Sequence, residues 1–201
     1  MVKLFRKAFN GRLGLLKYLI VFICFASIPA YCSGDIDSFL TVKDSVYTVE
    51  YQFNTTCSEE KLLEVFYEFS HLENLINKKS TSLEKLDSGE DWYYVKYNYR
   101  YFLYKNTSIY RKVILPDENL VNFDVIYFEQ NLDWVPEVLN SSGFYKIVKN
   151  DTNNTVIYFQ ETRLKGLCGK TYLDRVKKET EFFLKKLIAY VKGFEQIKED
   201  N

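Results

Sequence analysis

One segment carries an aromatic or apolar side chain at every second position, and this alternation constrains the fold more than any other feature of the chain. Between Trp92 and Leu103 the odd-numbered positions are Tyr93, Val95, Tyr97, Tyr99, Tyr101 and Leu103. Only a β-strand, whose side chains point alternately to the two faces of a sheet, produces this pattern. Tyrosine joins a large apolar ring to a polar tip, so the face suits both a crowded core and a cavity wall.

The first thirty residues have the three parts of a secretory signal. Five basic residues and no acidic ones lie among them, an apolar run extends from Tyr18 to Ala30, and small residues follow. The run is thirteen residues long, shorter than the about 20 that a helix needs to cross a bilayer. We therefore expect export to the periplasm or the medium, with cleavage near Ala30 or Cys32. Retention as an N-terminal membrane anchor is the alternative.

The charge balance of the mature chain indicates which partners to expect. Removal of residues 1–30 removes five of the 27 basic residues and none of the 27 acidic ones, which leaves 22 against 27. Nucleic-acid-binding proteins gather basic residues on one face because phosphate contacts supply most of their affinity. We therefore expect no nucleic-acid partner. Residues 31–44 are predicted to be a leader, and residues 45–197 suffice for one domain with a sizeable core.

Cysteine and histidine are sparse, which argues against a metal site, a bound cofactor or a catalytic triad. The mature chain contains Cys32, Cys57 and Cys168 at wide spacings, and their pairing in disulfides stays open. The single histidine, His71, lies in a helical pattern without a partner motif. We expect it to have a structural role at a helix surface or cap, and we predict no catalytic residue.

A strand, a helix and an antiparallel meander are predicted in that order. Alternation over Ser45–Phe53 predicts the first strand. A capping box at Thr56–Glu59, followed by apolar residues at helical spacing, predicts one helix. Turn-forming segments at 87–91, 116–119 and 151–154 then separate extended segments, and such short connections favour antiparallel neighbours.

Two parts of this meander are less regular. The tyrosine segment runs on to about Val113, and we predict a bend or bulge within it at Asn106–Ser108. The alternation lapses between Asn131 and Ser142, a stretch that contains Trp134 and Pro136. There we predict a loop or a single helical turn.

A long amphipathic helix is predicted at the end of the domain. After Gly166 and Gly169, apolar residues return at helical spacing opposite a face rich in lysine. The lysines are compatible with transient contact with a membrane. Three acidic residues, Glu179, Glu181 and Glu195, dilute the basic face and favour a solvated surface.

This order of elements resembles the helix-grip fold of START-like proteins, the SRPBCC superfamily of polyketide cyclases, coenzyme Q-binding proteins and the birch-pollen allergen. Residues 58–78 (SEEKLLEVFYEFSHLENLINK) are similar to the first helix of that family, residues 142–166 to its last hairpin and residues 169–196 to its closing helix. The resemblance implies an α+β fold. A curved antiparallel sheet of six to seven strands would carry a short first helix and a long C-terminal helix over a cavity.

In that family the sheet and the closing helix enclose an apolar cavity that holds lipids, quinones or polyketides. The resemblance implies that this chain is an exported, non-catalytic carrier or sensor of a small hydrophobic molecule. The implied ligand-binding residues come from the tyrosine strand, the segment after 116–119 and the closing helix: Tyr97, Tyr99, Tyr101, Phe123, Val125, Phe183, Leu187 and Val191. Large side chains also fill such gaps, so each of these residues lines a cavity or belongs to the core.

Two other functions stay open, and the oligomeric state is not set by the sequence. A cyclase or hydratase would use a pocket tyrosine, a carboxylate or Arg163 as acid or base. Its candidate carboxylates, Asp124 and Glu161, alternate with apolar neighbours and are expected to face solvent. A protein-interaction module with a filled core would instead use the outer face of the tyrosine strand, formed by Trp92, Lys96, Arg100 and Phe102.

Overall fold

Alternating side chains along eight strands give this chain one antiparallel sheet with helices on its inner face. The computed structural model describes residues 39–43, 45–76, 78–166 and 169–196. The strands are β1 (Phe39–Lys43), β2 (Val46–Thr55), β3 (Thr81–Ser88), β4 (Trp92–Tyr101), β5 (Tyr104–Leu115), β6 (Leu120–Gln130), β7 (Glu137–Lys149) and β8 (Asn154–Lys165). The helices are α1 (Glu59–Tyr67), α2 (Phe69–Leu75) and α3 (Lys170–Gln196), with a 3-10 turn at Pro116–Glu118.

The sheet order is β1-β2-β8-β7-β6-β5-β4-β3, and all neighbouring strands are antiparallel. Helices α1 and α2 connect β2 to β3 at the opposite edge, and the meander then returns to place β8 beside β2. The predicted α+β class is confirmed, with a curved seven-strand sheet and a long C-terminal helix. The short strand β1, within the predicted leader, adds an eighth strand at the edge. Residues 1–30, Cys32 and Cys168 lie outside the described residues.

The tyrosine segment is a hairpin, so the prediction of one strand reaching Val113 is wrong. Strand β4 ends at Tyr101, residues 102 and 103 form a two-residue turn, and Tyr101 pairs with Tyr104 across it. Phe102 adopts a φ of 52°. Two-residue hairpin turns need positive φ and usually carry glycine or asparagine. Phenylalanine gave no turn signal, and the predicted bend at Asn106–Ser108 lies within regularly paired β5.

The predicted single helix after β2 is also wrong, because Glu68 divides it. Ser58, and not Thr56, is the N-cap residue, and its hydroxyl accepts a hydrogen bond from the Lys61 amide at 3.3 Å. Glu68 has extended backbone angles, φ −63° and ψ 134°, and α2 begins directly after it. The last carbonyl groups of α1 therefore need partners outside the helix.

Strand β7 begins earlier than predicted. The loop after β6 ends at Pro136, and residues from Glu137 onward pair with β8. A register shift between Val138 and Asn140 interrupts the alternation, so the sequence pattern lapses although the strand continues.

Packing under α3 is uneven along the helix. Leu184, Leu187 and Val191 are at most 1% exposed and belong to the main core cluster. Leu173 and Val176, in the first half of the helix, are only half-buried, and Leu184 is the first buried residue among the described side chains of α3. The interior is therefore closely packed under the C-terminal half of α3. Among the residues that the structure describes, no helix combines the length and the apolar character that crossing a membrane requires.

Candidate functional site

Tyrosines from five strands converge on the inner face of the sheet. They are Tyr47 on β2, Tyr97 on β4, Tyr110 on β5, Tyr145 on β7 and Tyr158 on β8, and we refer to them as the tyrosine cluster. Burial raises the pKa of the Tyr158 phenol well above its usual range, and the other four phenols add to this rise because they lie nearby. Alternation places all five side chains on one face, although their positions span 112 residues of the printed sequence (47 to 158, inclusive).

The rings of the cluster form an aromatic wall. Those of Tyr97 and Tyr110 lie 5.0 Å apart, and those of Tyr145 and Tyr158 lie 5.2 Å apart. Phe123 on β6 packs against both of the latter rings, at 5.6 Å and 6.1 Å. Contacts of this kind stabilise a wall beyond the area that they bury.

Three hydroxyl groups of this wall are unsatisfied. The phenols of Tyr97, Tyr110 and Tyr145 make no hydrogen bond within the described part of the chain. Every fully enclosed polar side-chain atom among the described residues does have a partner. These three hydroxyls are therefore not fully enclosed, and each keeps some accessible surface.

Several polar side chains on β7 and β8, which form hydrogen bonds with one another, lie beside the wall. The hydroxyls of Ser141 and Thr162 lie 2.7 Å apart, and the Gln160 amide donates to Ser141 at 3.1 Å. Tyr158 donates its hydroxyl proton to the side-chain Oε1 of Gln160. Because these groups satisfy one another, they fix the orientation of Tyr158 within the cluster.

A β-bulge changes which residues of β6 face inward. The pairing shifts between Ile109 and Tyr110, so that Tyr110 lies opposite Val125 while Ser108 lies opposite Phe128. Phe128 therefore shares the inner face with Val125, and Tyr127 is 45% exposed. Simple alternation would have predicted the reverse for these two residues, and no turn or glycine signal marks the bulge.

Lys112 is the one lysine that is buried among the residues that the structure describes. It lies on the inner face of β5, is 7% exposed, and donates a hydrogen bond to the carbonyl oxygen of Phe66 at 2.7 Å. Tyr93, its partner across the hairpin, donates to the next carbonyl, that of Tyr67, at 2.7 Å. Burial lowers the pKa of Lys112 to about 8. Sequence analysis missed Lys112, because its inward direction follows only once the turn before β5 is known.

The carboxylates and the arginine considered for acid-base chemistry lie away from the wall. Asp124 pairs with Arg111 at 3.1 Å on the outer face, and Glu161 and Arg163 are exposed. Within the described ranges, no group of three or more His, Cys, Asp or Glu side chains is placed to hold a metal ion.

His71 joins three helices at a distance from this face. Its Nδ1 lies 2.8 Å from the Tyr190 hydroxyl on α3, and its Nε2 lies 2.9 Å from a carboxylate oxygen of Glu64 on α1. The hydroxyl of Tyr190 also accepts a hydrogen bond from the Asn74 amide at 3.3 Å. His71 therefore has a structural role, in which it ties α1 and α2 to the C-terminal half of α3.

Comparison with known proteins was informative only at the level of structure. No protein-family model and no curated protein matches the chain. The Zhui aromatase/cyclase from a Streptomyces species matches with a TM-score of 0.58 and 12% identity, over 73% of this chain and 94% of that one. A START superfamily protein from Mycobacterium smegmatis matches with a TM-score of 0.54 and 11% identity, over 73% and 98%.

The fold is the START-like helix-grip fold. A third similar structure is a point mutant of the norcoclaurine synthase of Thalictrum flavum, in complex with a transition state analogue. Its TM-score is 0.54 at 12% identity, over 77% of this chain and 99% of that one. Identity this low shows the shared fold alone, so function has to be argued from the residues of this chain.

The helix-grip architecture separates the predicted ligand-binding residues into two groups. Tyr97, Tyr99 and Tyr101 are half-buried on the inner face, as are Val125 and Phe183. Phe183 extends the aromatic wall onto the grip helix α3, with its ring 6.2 Å from that of Tyr158.

The second group lies in the packed core. Phe123 is 8% exposed and both Leu187 and Val191 are at most 1% exposed. Contact of either group with a ligand stays a prediction. The inward-facing residues that the prediction omitted are Tyr110, Tyr145, Phe128 and Lys112.

Proposed function

We propose that this chain binds a small hydrophobic ligand, as a non-catalytic carrier or sensor, between the inner face of the sheet and the N-terminal half of α3. The observation that carries the proposal is the set of three phenol hydroxyls, of Tyr97, Tyr110 and Tyr145, which are not fully enclosed and have no hydrogen-bond partner among the described residues. A ligand that combines an apolar body with hydrogen-bond acceptors would cover the rings and satisfy these hydroxyls.

The uneven packing of α3 supports this position for the ligand. In the C-terminal half of the helix Leu184, Leu187 and Val191 are buried, whereas in the N-terminal half Leu173 and Val176 are half-buried. Half-buried apolar side chains favour the binding of a ligand that buries them further. The outward direction of Asp124 and Glu161 supports a binding role without acid-base catalysis.

We also propose that the protein works after export, in the periplasm or outside the cell. The support is the sequence pattern of residues 1–30, with basic residues before a short apolar run. Determination of the N-terminal residue of the protein from its own host tests this point. A mature chain that begins close to Ala30 or Cys32 is the expected result, and an intact Met1 in the membrane fraction would support the anchored alternative.

Native mass spectrometry of the protein purified from its own host tests the binding function. We expect a discrete hydrophobic mass that is released on denaturation, and saturable binding of the neutral dye N-phenylnaphthylamine by the delipidated protein. Failure of both, together with failure to bind members of a lipid and quinone panel, would overturn the proposal.

A matched pair of substitutions locates the site. Val125→Phe places a larger side chain in the proposed space, and we expect it to reduce dye affinity at least tenfold without lowering the melting temperature. Ile109→Phe makes a similar change on the outer face of the neighbouring strand and is expected to leave dye affinity unchanged. A closely packed interior would instead make Val125→Phe destabilising by about 1–3 kcal/mol through overpacking.

A further inference from the structure

We propose that the ligand of this helix-grip protein carries an anionic group, of the carboxylate class, and that Lys112 recognises it. This inference rests on the proposed binding function and names the chemistry of the ligand that the function leaves open. It comes from a buried ammonium group on the inner face of β5, which the described residues only partly satisfy.

The hydrogen bonding of Lys112 is incomplete. An ammonium group has three donor hydrogens. Among the described residues, Lys112 has one acceptor, the carbonyl oxygen of Phe66. With 7% of its surface exposed, Lys112 has little access to water for the other two. Two donor hydrogens are therefore left for a ligand that enters the fold.

No carboxylate of the described residues forms an ion pair with Lys112. Its neighbours across β4 and β6 are Tyr93 and Phe123, and the flanking inward residues of β5 are Tyr110 and Ile114. All four lack a negative charge near neutral pH. A buried cation without a counter-ion is costly, and an anionic ligand group would offset that cost.

The tyrosine cluster supplies further donors next to this cation. Successive inward residues of a strand lie about 7 Å apart, so Tyr110, whose hydroxyl makes no hydrogen bond among the described residues, is the next inward residue beside Lys112 on β5. Tyr97 and Tyr145 add two more such hydroxyls. Hydrogen bonds from neutral donors and a cation to one carboxylate are the strong, charge-assisted kind.

Capping of α1 does not by itself explain a lysine at this position. The adjacent carbonyl, that of Tyr67, is satisfied by the neutral hydroxyl of Tyr93 at the same 2.7 Å. A neutral donor therefore suffices for this task in the same hairpin. The full charge of Lys112 exceeds what this hydrogen bond requires, and the carbonyl end of α1 offsets it with only a partial negative charge.

Two pairs of size-matched probes test the inference on the full chain near neutral pH. The pairs are decanoate with decanol, and anthracene carboxylate with anthracene methanol, each measured by displacement of N-phenylnaphthylamine. We expect the acid of at least one pair to bind about tenfold more tightly than its alcohol, since a charge-assisted hydrogen bond has about that effect on affinity.

Lys112→Gln removes the charge and keeps a donor for the Phe66 carbonyl. In this variant we expect the acid to lose its advantage, so that the acid and the alcohol displace the dye equally. Lys96→Gln, which removes a lysine paired with Glu84 on the outer face, should keep the tenfold preference.

Three outcomes overturn the inference, and they separate it from the proposed function. If dye and alcohols bind but neither acid is preferred, the anion site is wrong and the binding function stands. The same conclusion follows if Lys112→Gln retains the preference for the acid. If neither the dye nor any probe binds to the wild-type chain, both proposals fail together.

Discussion

Tyr93 and Lys112 are direct partners across the β4–β5 hairpin, and they donate hydrogen bonds to consecutive carbonyls, of Tyr67 and Phe66, at the end of α1. The break at Glu68 leaves these carbonyls without helical partners. The hairpin therefore holds the end of α1 against the sheet.

Removal of the Tyr93 hydroxyl should lower stability. Tyr93→Phe leaves a buried carbonyl without its partner, and we expect the free energy of unfolding to fall by about 1–2 kcal/mol. Urea denaturation followed by circular dichroism measures this change. Tyr94→Phe, on the other face of β4, is the control and should change stability by less than about 0.5 kcal/mol.

Three phenols of the tyrosine cluster should, unlike that of Tyr93, contribute little to the free energy of unfolding. Tyr97→Phe, Tyr110→Phe and Tyr145→Phe each remove a hydroxyl without a partner among the described residues. We expect each variant to unfold within about 0.5 kcal/mol of the wild type in the absence of ligand. A loss above about 1 kcal/mol in all three would show that these hydroxyls are already satisfied, and would contradict the proposed site.

Stability should rise with pH just above neutrality because of Lys112. Its pKa is about 8 in the folded chain and 10.5 in its ordinary state. Between these values the unfolded chain binds more protons, so a higher pH favours the folded state. From about pH 8 to about pH 9.5 we expect a gain of about 1–2 kcal/mol.

Above about pH 10 the trend should reverse. Burial raises the pKa of Tyr110, Tyr145 and Tyr158, so these phenols ionise first in the unfolded chain and their contribution to stability is lost as pH rises. Urea unfolding at a series of pH values measures both limbs. Lys112→Gln should flatten the first limb alone, and an unchanged first limb in this variant would refute the assignment to Lys112.

Two glycines make a matched test of packing. A β-carbon at Gly143 on β7 would collide with the carbonyl oxygen of Phe159 and the ring of Phe123. We expect Gly143→Ala to lower the free energy of unfolding by at least about 2 kcal/mol. At Gly193 on α3 a β-carbon would meet nothing within 4 Å, so Gly193→Ala should raise stability by about 0.5–1 kcal/mol. Differential scanning calorimetry compares the two, and equal effects would contradict this packing.

The faces of the sheet were predictable because strand periodicity is a local property. Tyr97 and Tyr99 could be assigned to one face from alternation alone. The turn at Phe102 and the shift before Tyr110 could not, since positive φ and a bulge depend on how the paired strands twist. Whether the interior under α3 is open or filled could not be decided from alternation, because it depends on how closely α3 packs against the sheet.

Helix α3 is firmly attached to the rest of the fold by one of its two halves. Leu184, Leu187 and Val191 anchor its second half in the core, and the His71–Tyr190 contact fastens the same half to α2. Detachment of the first half therefore breaks few buried contacts and requires much less free energy than global unfolding. The proposed binding function therefore predicts that ligand exchanges at the Leu173 end of α3 while the other end stays attached.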